Sequence, residues 1–331
     1  MSKLYNTLLL ITGLALAGNT VAAGDPLVEK KKTYTKTYSV SNSDKISLEN
    51  KFGELKINTW AKNEVKVDVT ITAEASTDER AQRILDKITI EDGKSGSGVY
   101  FKTKIGNDNN QKWDKEKGEK QGFNIEYIVY LPAHNPLYAS NEFGPMSIGD
   151  YNGEVVLQSK FGSLTAGKLT NAKKVSVEFG KANIASVNNG DLSIKFSRAE
   201  VTNLDGEIDA HFEHCSGVKL GINNSVKALT VKNSFTNLYL DLSTDLSANF
   251  DIRTSFAEVQ NKSNFNIKKE GEDEERRGPK FDFQWTGKAG SGSREMKIKT
   301  NFGNVTLGHN LPFDTNDDKK DKSDKKRTRN I

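Results

Sequence analysis

Cysteine is all but missing from this 331-residue chain: Cys215 stands alone, so no internal disulfide can staple the fold. Stability must come from packing and backbone pairing. Only four histidines are present, which leaves little material for metal or general-base chemistry. Hydrophobic residues make up 35%, low for a compact globule, which points to an elongated body with much surface per residue. Neither sign of charge dominates. The 48 basic and 44 acidic residues are intermixed, which describes a solvated surface and not a nucleic-acid footprint. Beyond residue 23 no long apolar run occurs, so no membrane-spanning helix is expected there.

The first 23 residues have the pattern of an export signal. Lys3 supplies a positive start, "LLLITGLALAG" (8–18) an apolar stretch too short to span a bilayer, and "VAA" (21–23) a small-residue cleavage site. No Cys follows it to carry a lipid. The other extreme is the C-terminus: 313–331 is almost wholly charged and polar, and is expected to be a disordered tail.

What the chain has in plenty is one motif. "NKFGELKIN", "NEFGPMSIG", "SKFGSLTAG" and "TNFGNVTLG" are copies of it, with weaker ones between. Nine aromatic positions align: Phe52, Phe143, Phe161, Phe179, Phe196, Phe212, Phe235, Phe256 and Phe302. The middle five are 18, 18, 17 and 16 residues apart, and the next two steps are 23 and 21. Four residues before each Phe stands an apolar residue (Leu48, Ala139, Leu157, Val175, Leu192, Ile208, Val231, Ile252, Ile298). Three after it stands another residue suited to a core, from Leu55 to Val305.

A period near 18 marks stacked repeats that cover one another's apolar faces. Positions −4, −2 and 0 share one parity and +3 and +5 the other, so two strands meet at a corner on the Phe-Gly step. The expected fold is therefore all-β: a parallel β-helix, right-handed, with coils of about 16–23 residues. A left-handed hexapeptide helix shares the 18-residue coil but needs a six-residue sub-repeat that is not there. On this reading the Phe rings fill the inside of the corner, about 4.8 Å apart. Replacing Phe179 with Ala would then cost about 3–5 kcal/mol. Gly follows Phe in five of nine copies, but Thr236 stands there in another, so a left-handed residue is not expected at this corner in every coil.

The domain boundaries follow. Residues 24–135 form N-terminal strands and a cap, with alternating strands at 64–72 and 123–131 and a short helix at 76–85 opened by Ser76 and Glu79. Residues 136–312 carry the repeats, interrupted by a loop thrown out at 265–295.

The stretch "EYIVYLPAHNPLYASNEFGPMSIGDYNGEVVLQSKFGSLTAGKL" (126–169) resembles the centre of a bacterial adhesin-like β-strand-repeat family of unknown function, related to the GIN head-domain adhesins. The resemblance covers roughly residues 40–310 and implies an exported β-helical protein of a Bacteroidetes-like bacterium.

For chemistry, "HFEHCS" offers His211, His214 and Cys215 as a metal candidate, but three ligands fall short of a closed zinc site, and Cys215 takes a core position. The residue before Phe reads Lys51, Glu142, Lys160, Glu178, Lys195, His211, an alternating ladder that would hold register. Outward pairs such as Glu54/Lys56 and Arg198/Glu200 are a mixture without a carboxylate cluster, so a polysaccharide-cleaving enzyme is disfavoured. The expectation is a non-catalytic exported binding or scaffold protein, in the periplasm or at the surface. It would need no cofactor and would meet an envelope protein or a surface glycan, not nucleic acid. The alternative is a periplasmic component of envelope maintenance or stress signalling.

Overall fold

The computed structural model describes residues 27–96, 98–106, 120–271 and 281–313. The expected export signal, almost all of the charged tail and the centre of the 265–295 insertion lie outside these residues. The fold is all-β: among the described residues, 23 strands join one hydrogen-bonded sheet, beside one helix.

The N-terminal part comprises β1 (Val28–Ser39), β2 (Lys45–Lys51), β3 (Leu55–Trp60), β4 (Glu64–Ala75), α1 (Asp78–Asp86), β5 (Ile88–Ser95), β6 (Gly98–Ile105) and β7 (Gly122–Pro132). The repeats follow as β8 (Leu137–Glu142), β9 (Met146–Ile148), β10 (Val155–Lys160), β11 (Ser163–Leu169), β12 (Ala172–Glu178), β13 (Lys181–Lys195), β14 (Arg198–Glu213), β15 (Gly217–Ile222), β16 (Val226–Ser234) and β17 (Leu238–Leu242). The chain ends with β18 (Ala248–Ser255), β19 (Val259–Asn261), β20 (Asn266–Lys269), β21 (Asp282–Ala289), β22 (Glu295–Asn301) and β23 (Val305–Gly308).

Two parallel ladders run through the body. The first has the spatial order β6, β2, β8, β10, β12, the second half of β13, the second half of β14, β16, β22, β18. The second runs β7, β3, β9, β11, the first halves of β13 and β14, β15, β17, β23, β19. Each rung is one strand of each ladder, joined at a corner. The −4 position forms a single buried row in which Leu48, Ala139, Leu157, Val175, Leu192, Ala210, Val231, Ile298 and Ile252 are successive register partners. Across the core, Leu55, Met146, Leu164, Ala182, Ala199, Val218, Leu238, Val305 and Val259 form the facing row.

Antiparallel strands close both ends. β5 covers β6, β4 covers β7, and β1 covers β4. At the other end β21 covers β18 and β20 pairs with β21. The alternation expected at 64–72 and 123–131 is present: Val65, Val67, Val69 and Ile71 point inward with Ile125, Tyr127, Val129 and Leu131, and β4 pairs with β7. The helix begins later than Ser76: Thr77 is its cap, with its hydroxyl accepting from the Arg80 N–H at 3.3 Å.

Two features depart from the sequence reading. The 265–295 segment is not a plain loop, since β20 and β21 fold back as an antiparallel pair onto the last rung. Nor do the rungs stack in chain order. β22 and β23 insert between the β16–β17 rung and the β18–β19 rung, so the chain skips a level and returns to fill it.

Buried asparagines tie the corners together. The Asn141 side-chain amide donates to the carbonyls of Gly53, Gly144 and Pro145, each at 3.0 Å. Asn233 donates to the Thr236 carbonyl and the Thr300 hydroxyl, each at 2.8 Å. A corner takes carbonyls out of the ladder, and left unpaired in the interior each would cost stability.

Candidate functional site: an exposed aromatic ladder

The corner residue in every repeat lies in the left-handed region. Phe52, Phe143, Phe161, Phe179, Phe196, His214, Phe235, Phe256 and Phe302 all have φ between 49° and 61°. This conformation rotates the side chain away from the face that strand parity assigns to it. The rings therefore point outward, and the expected interior Phe ladder is corrected: these phenylalanines are 37–53% exposed. The left-handed residue that the sequence reading set aside is present at every corner, and it is the aromatic residue itself.

Gly after Phe has a different cause. A β-carbon on Gly162 would lie 2.0 Å from the Gly144 carbonyl oxygen, and one on Gly180 1.7 Å from that of Gly162. Successive corners pass too close for a side chain. At two other corners small hydroxyl residues replace Gly and bridge to the neighbouring rung. Ser197 Oγ accepts from the Gly180 N–H at 3.0 Å, and Thr236 Oγ1 from the Cys215 N–H at 2.9 Å.

Phe212 is a second correction. It sits at −2, is 2% exposed and pairs in register with Asn233. The ring at this corner belongs to His214, stacked between Phe196 and Phe235 at 5.2 and 4.7 Å. The sequence held the clue: His214 stands 18 residues after Phe196, whereas Phe212 required a step of 16. With it, the rings order as Phe52, Phe143, Phe161, Phe179, Phe196, His214, Phe235, Phe302 and Phe256. Neighbouring centroids are 4.7–5.2 Å apart and planes lie within 3–7° of parallel. Two rings outside the repeat extend the stack: Phe281 lies on Phe256 at 4.6 Å, and Phe123 meets Phe52 edge-on at 5.2 Å. The stripe is on the order of 40 Å long, one ring per ~4.8 Å strand spacing.

The energetics are uneven. A left-handed backbone costs an ordinary residue about 1–2 kcal/mol, and a stacked aromatic pair returns about 0.5–1.5 kcal/mol. Each interior ring has two stacked neighbours, so the array supports itself while an isolated ring would not. The faces are consumed by this stacking, leaving ring edges to solvent. The surface is an apolar ridge, without the open ring faces on which a sugar or a nucleobase would stack.

Beside it, from β2 to β14, the residue before each ring forms the alternating charge ladder. Lys51 pairs with Glu142 at 3.1 Å, Lys160 with Glu178 at 3.1 Å and Lys195 with Glu213 at 3.0 Å. Glu213 occupies the position given to His211 in the sequence reading. Its hydrogen bond from Lys195 holds the Glu213 carboxyl below the ordinary range.

The metal candidates do not converge. His211 is exposed on the outer face of β14 and His214 lies in the ring stack. Cys215 is buried, its thiol meeting the Ile194 carbonyl at 3.2 Å, and burial pushes its pKa upward. Among the described residues no group of three or more His, Cys, Asp or Glu is arranged to hold a metal. Of the outward pairs considered for catalysis, Glu200 is tied to Lys219 at 3.3 Å, and Lys219 also meets Asp241 at 3.1 Å. Sequence reasoning missed His214, Phe123 and Phe281 as ladder members.

No protein-family model matches the chain, and no curated protein does. Nine solved chains do. One is a candidate cell-adhesion protein of Clostridium sporogenes, 14% identical, with 85% of this chain and 100% of that one covered and a TM-score of 0.23. Another is a candidate adhesin of Bacteroides fragilis, 12% identical, covering 84% and 97%, TM-score 0.26. A third, from Parabacteroides distasonis, is also a candidate adhesin, 12% identical over 83% and 97%, TM-score 0.29.

Proposed function

We propose that the chain is an exported, non-catalytic, adhesin-like protein that binds another envelope protein through the aromatic ridge. On this reading the two parallel ladders are sides of a right-handed β-solenoid, residues 1–23 are the export signal, and the body faces the periplasm or the cell exterior.

The observation that carries the proposal is the ridge. Nine phenylalanines, Phe281 among them, each keep about half of a side chain of about 200 Å² in solvent, which leaves on the order of 800 Å² of contiguous apolar surface. The largest apolar patch of a typical monomer is about 300–600 Å², and one partner's share of a standard interface is about 800 Å². Asn would fill a left-handed corner at lower conformational cost, so the backbone alone does not account for Phe. A ridge of edges fits an apolar groove on a protein. The reading is non-catalytic because the residues weighed for chemistry are otherwise engaged: Glu200 is tied to Lys219, His214 lies in the ring stack and Cys215 is buried.

The test is co-sedimentation of the purified chain with washed envelopes of the producing cells. The triple variant Phe161→Asn/Phe179→Asn/Phe196→Asn, with its β circular dichroism verified, should bind about tenfold more weakly. Unchanged binding would remove the ridge as the contact. Protease treatment of intact and opened cells separates the exterior from the periplasm.

A further inference from the structure

In the row beside the rings charges alternate in sign from β2 to β14. Two residues back on the same outer face, where earlier strands carry Ser140, Gln158, Ser176 and Ser193, basic side chains stand opposite one another from β14 to β18. His211 is the register partner of Lys232, Lys232 of Lys299, and Lys299 of Arg253. Lys297 projects from the same face of β22, two residues from Lys299. Like charges directly opposite each other destabilise a sheet, and elsewhere this protein avoids them along the row beside the rings. Arg253 is met by Asp251 at 3.1 Å, and Asp251 also accepts from Gln284 at 3.0 Å. Among the described residues no carboxylate forms an ion pair with Lys232 or Lys299, whereas Lys297 has Asp251 as its register partner.

The neighbouring row changes in the same rungs. Where earlier rungs carry Lys and Glu before the ring, these carry Ser234, Asn301 and Ser255. Short side chains leave two adjoining grooves that share Lys299 and Asn301. One, of about 310 Å³, is also lined by Lys232 and Ser234; the other, of about 670 Å³, by Arg253 and Ser255. Glu270 and Asp282 line the far side of the second groove and end the cationic stretch.

We propose that this face binds a linear anionic polysaccharide lying along the ladder axis. Its acid groups would meet Lys232 and Lys299, and its hydroxyls Ser234 and Asn301. The cations recur once per ~4.8 Å rung, comparable with the advance of one sugar in an extended chain. The floor is rich in hydroxyl and amide groups, as a hydroxyl-bearing polymer requires. Nearby rings offer edges and no faces, which disfavours single-stranded nucleic acid, whose affinity leans on base stacking. This surface is separate from the aromatic ridge, and the proposal stands or falls without it.

The experiment is calorimetric titration of the purified chain with polygalacturonate, with neutral dextran as control. Binding should be salt-sensitive and absent for dextran. Lys232→Gln/Lys299→Gln should weaken it about tenfold, while Lys160→Gln, which breaks a charge pair on the same face, should leave it within about twofold. Without polymer and at low salt, Lys299→Gln should raise the melting temperature, because it relieves like-charge repulsion. The proposal is overturned if the wild-type chain does not bind polygalacturonate or if the double variant binds equally well. It is also overturned if Lys299→Gln lowers the melting temperature, or if a DNA oligonucleotide binds more tightly than polygalacturonate.

Discussion

Replacing Phe179 separates an outward ring stack from an ordinary core. Phe179 is 46% exposed and lies between Phe161 at 4.9 Å and Phe196 at 4.8 Å. About half of its side chain, on the order of 100 Å², is covered, and at about 25 cal/mol/Å² this contributes about 2.5 kcal/mol. The stacking energy describes largely the same contact, and the space left by truncation opens to water, so no sealed cavity adds to the cost. Phe179→Ala should therefore destabilise by about 2–3 kcal/mol, below the ~3–5 kcal/mol of a buried Phe and well above the ~0.5 kcal/mol of an exposed site. The decisive comparison is Phe179→Asn. Asn loses the same stacking but tolerates a left-handed backbone, so it should cost less than Ala. At an interior position the order reverses, because Asn would be a buried polar group. Urea unfolding of the three proteins gives the order directly, and Asn worse than Ala would refute the outward ladder. A double-mutant cycle should give a coupling of about 0.5–1.5 kcal/mol between Phe179 and Phe161, and none between Phe179 and the distant Phe302.

Ile298, buried in the inserted rung between β16 and β18, should cost about 2–5 kcal/mol on change to Ala, and removing 295–308 should abolish the cooperative thermal transition, since two ladder edges lose their partner. The Cys215 thiol should resist a thiol reagent in the native protein and react on unfolding, because it is 5% exposed and its pKa is raised by burial. Burial also raises the phenols of Tyr127 and Tyr151 above their ordinary value. A phenol raised in the folded state contributes stability that is intact below the unfolded pKa of about 10 and lost as pH climbs toward the folded value. Melting temperatures should thus fall above about pH 10, with tyrosinate absorbance from these two residues appearing together with unfolding and not before it.

How much of this was legible in the sequence depends on which interaction fixes each feature. The 18-residue period and the apolar residues at −4 and +3 record the burial of a repeated face, a local pattern that any strand pairing has to honour. They placed eight of the nine corners and the buried rows beside them; at the ninth, Phe212, Ile208 and Cys215 stood where the structure has His214, Ala210 and Val218. They also placed the Lys/Glu row at Lys51–Glu142 and Lys160–Glu178, because register partners one repeat apart sit side by side. The same pattern misled at position 0: Phe reads as core by composition, and parity sets it on the inner face. Only the backbone dihedral reverses it, and neighbouring rings in space, not residues in sequence, sustain that dihedral. His214 was hidden because the nearby Phe212 satisfied a rule written for Phe.

By itself, then, the sequence determined that the chain is β-rich, that it turns at a recurring aromatic corner, and that its stability owes nothing to disulfides. Each follows from composition or from contacts repeated at a fixed spacing. Only the tertiary structure decided that the rings face solvent, that β22 and β23 return to fill a skipped rung, and that Lys232 meets Lys299. The physical reason is shared. Ring stacking and parallel strand pairing act between residues 17 to 91 positions apart, and β16 of the described chain accepts β22 as its partner where the period predicts β18. No local preference encodes that choice, because β18 and β22 present the same alternating pattern and β22 pairs with both of its neighbours.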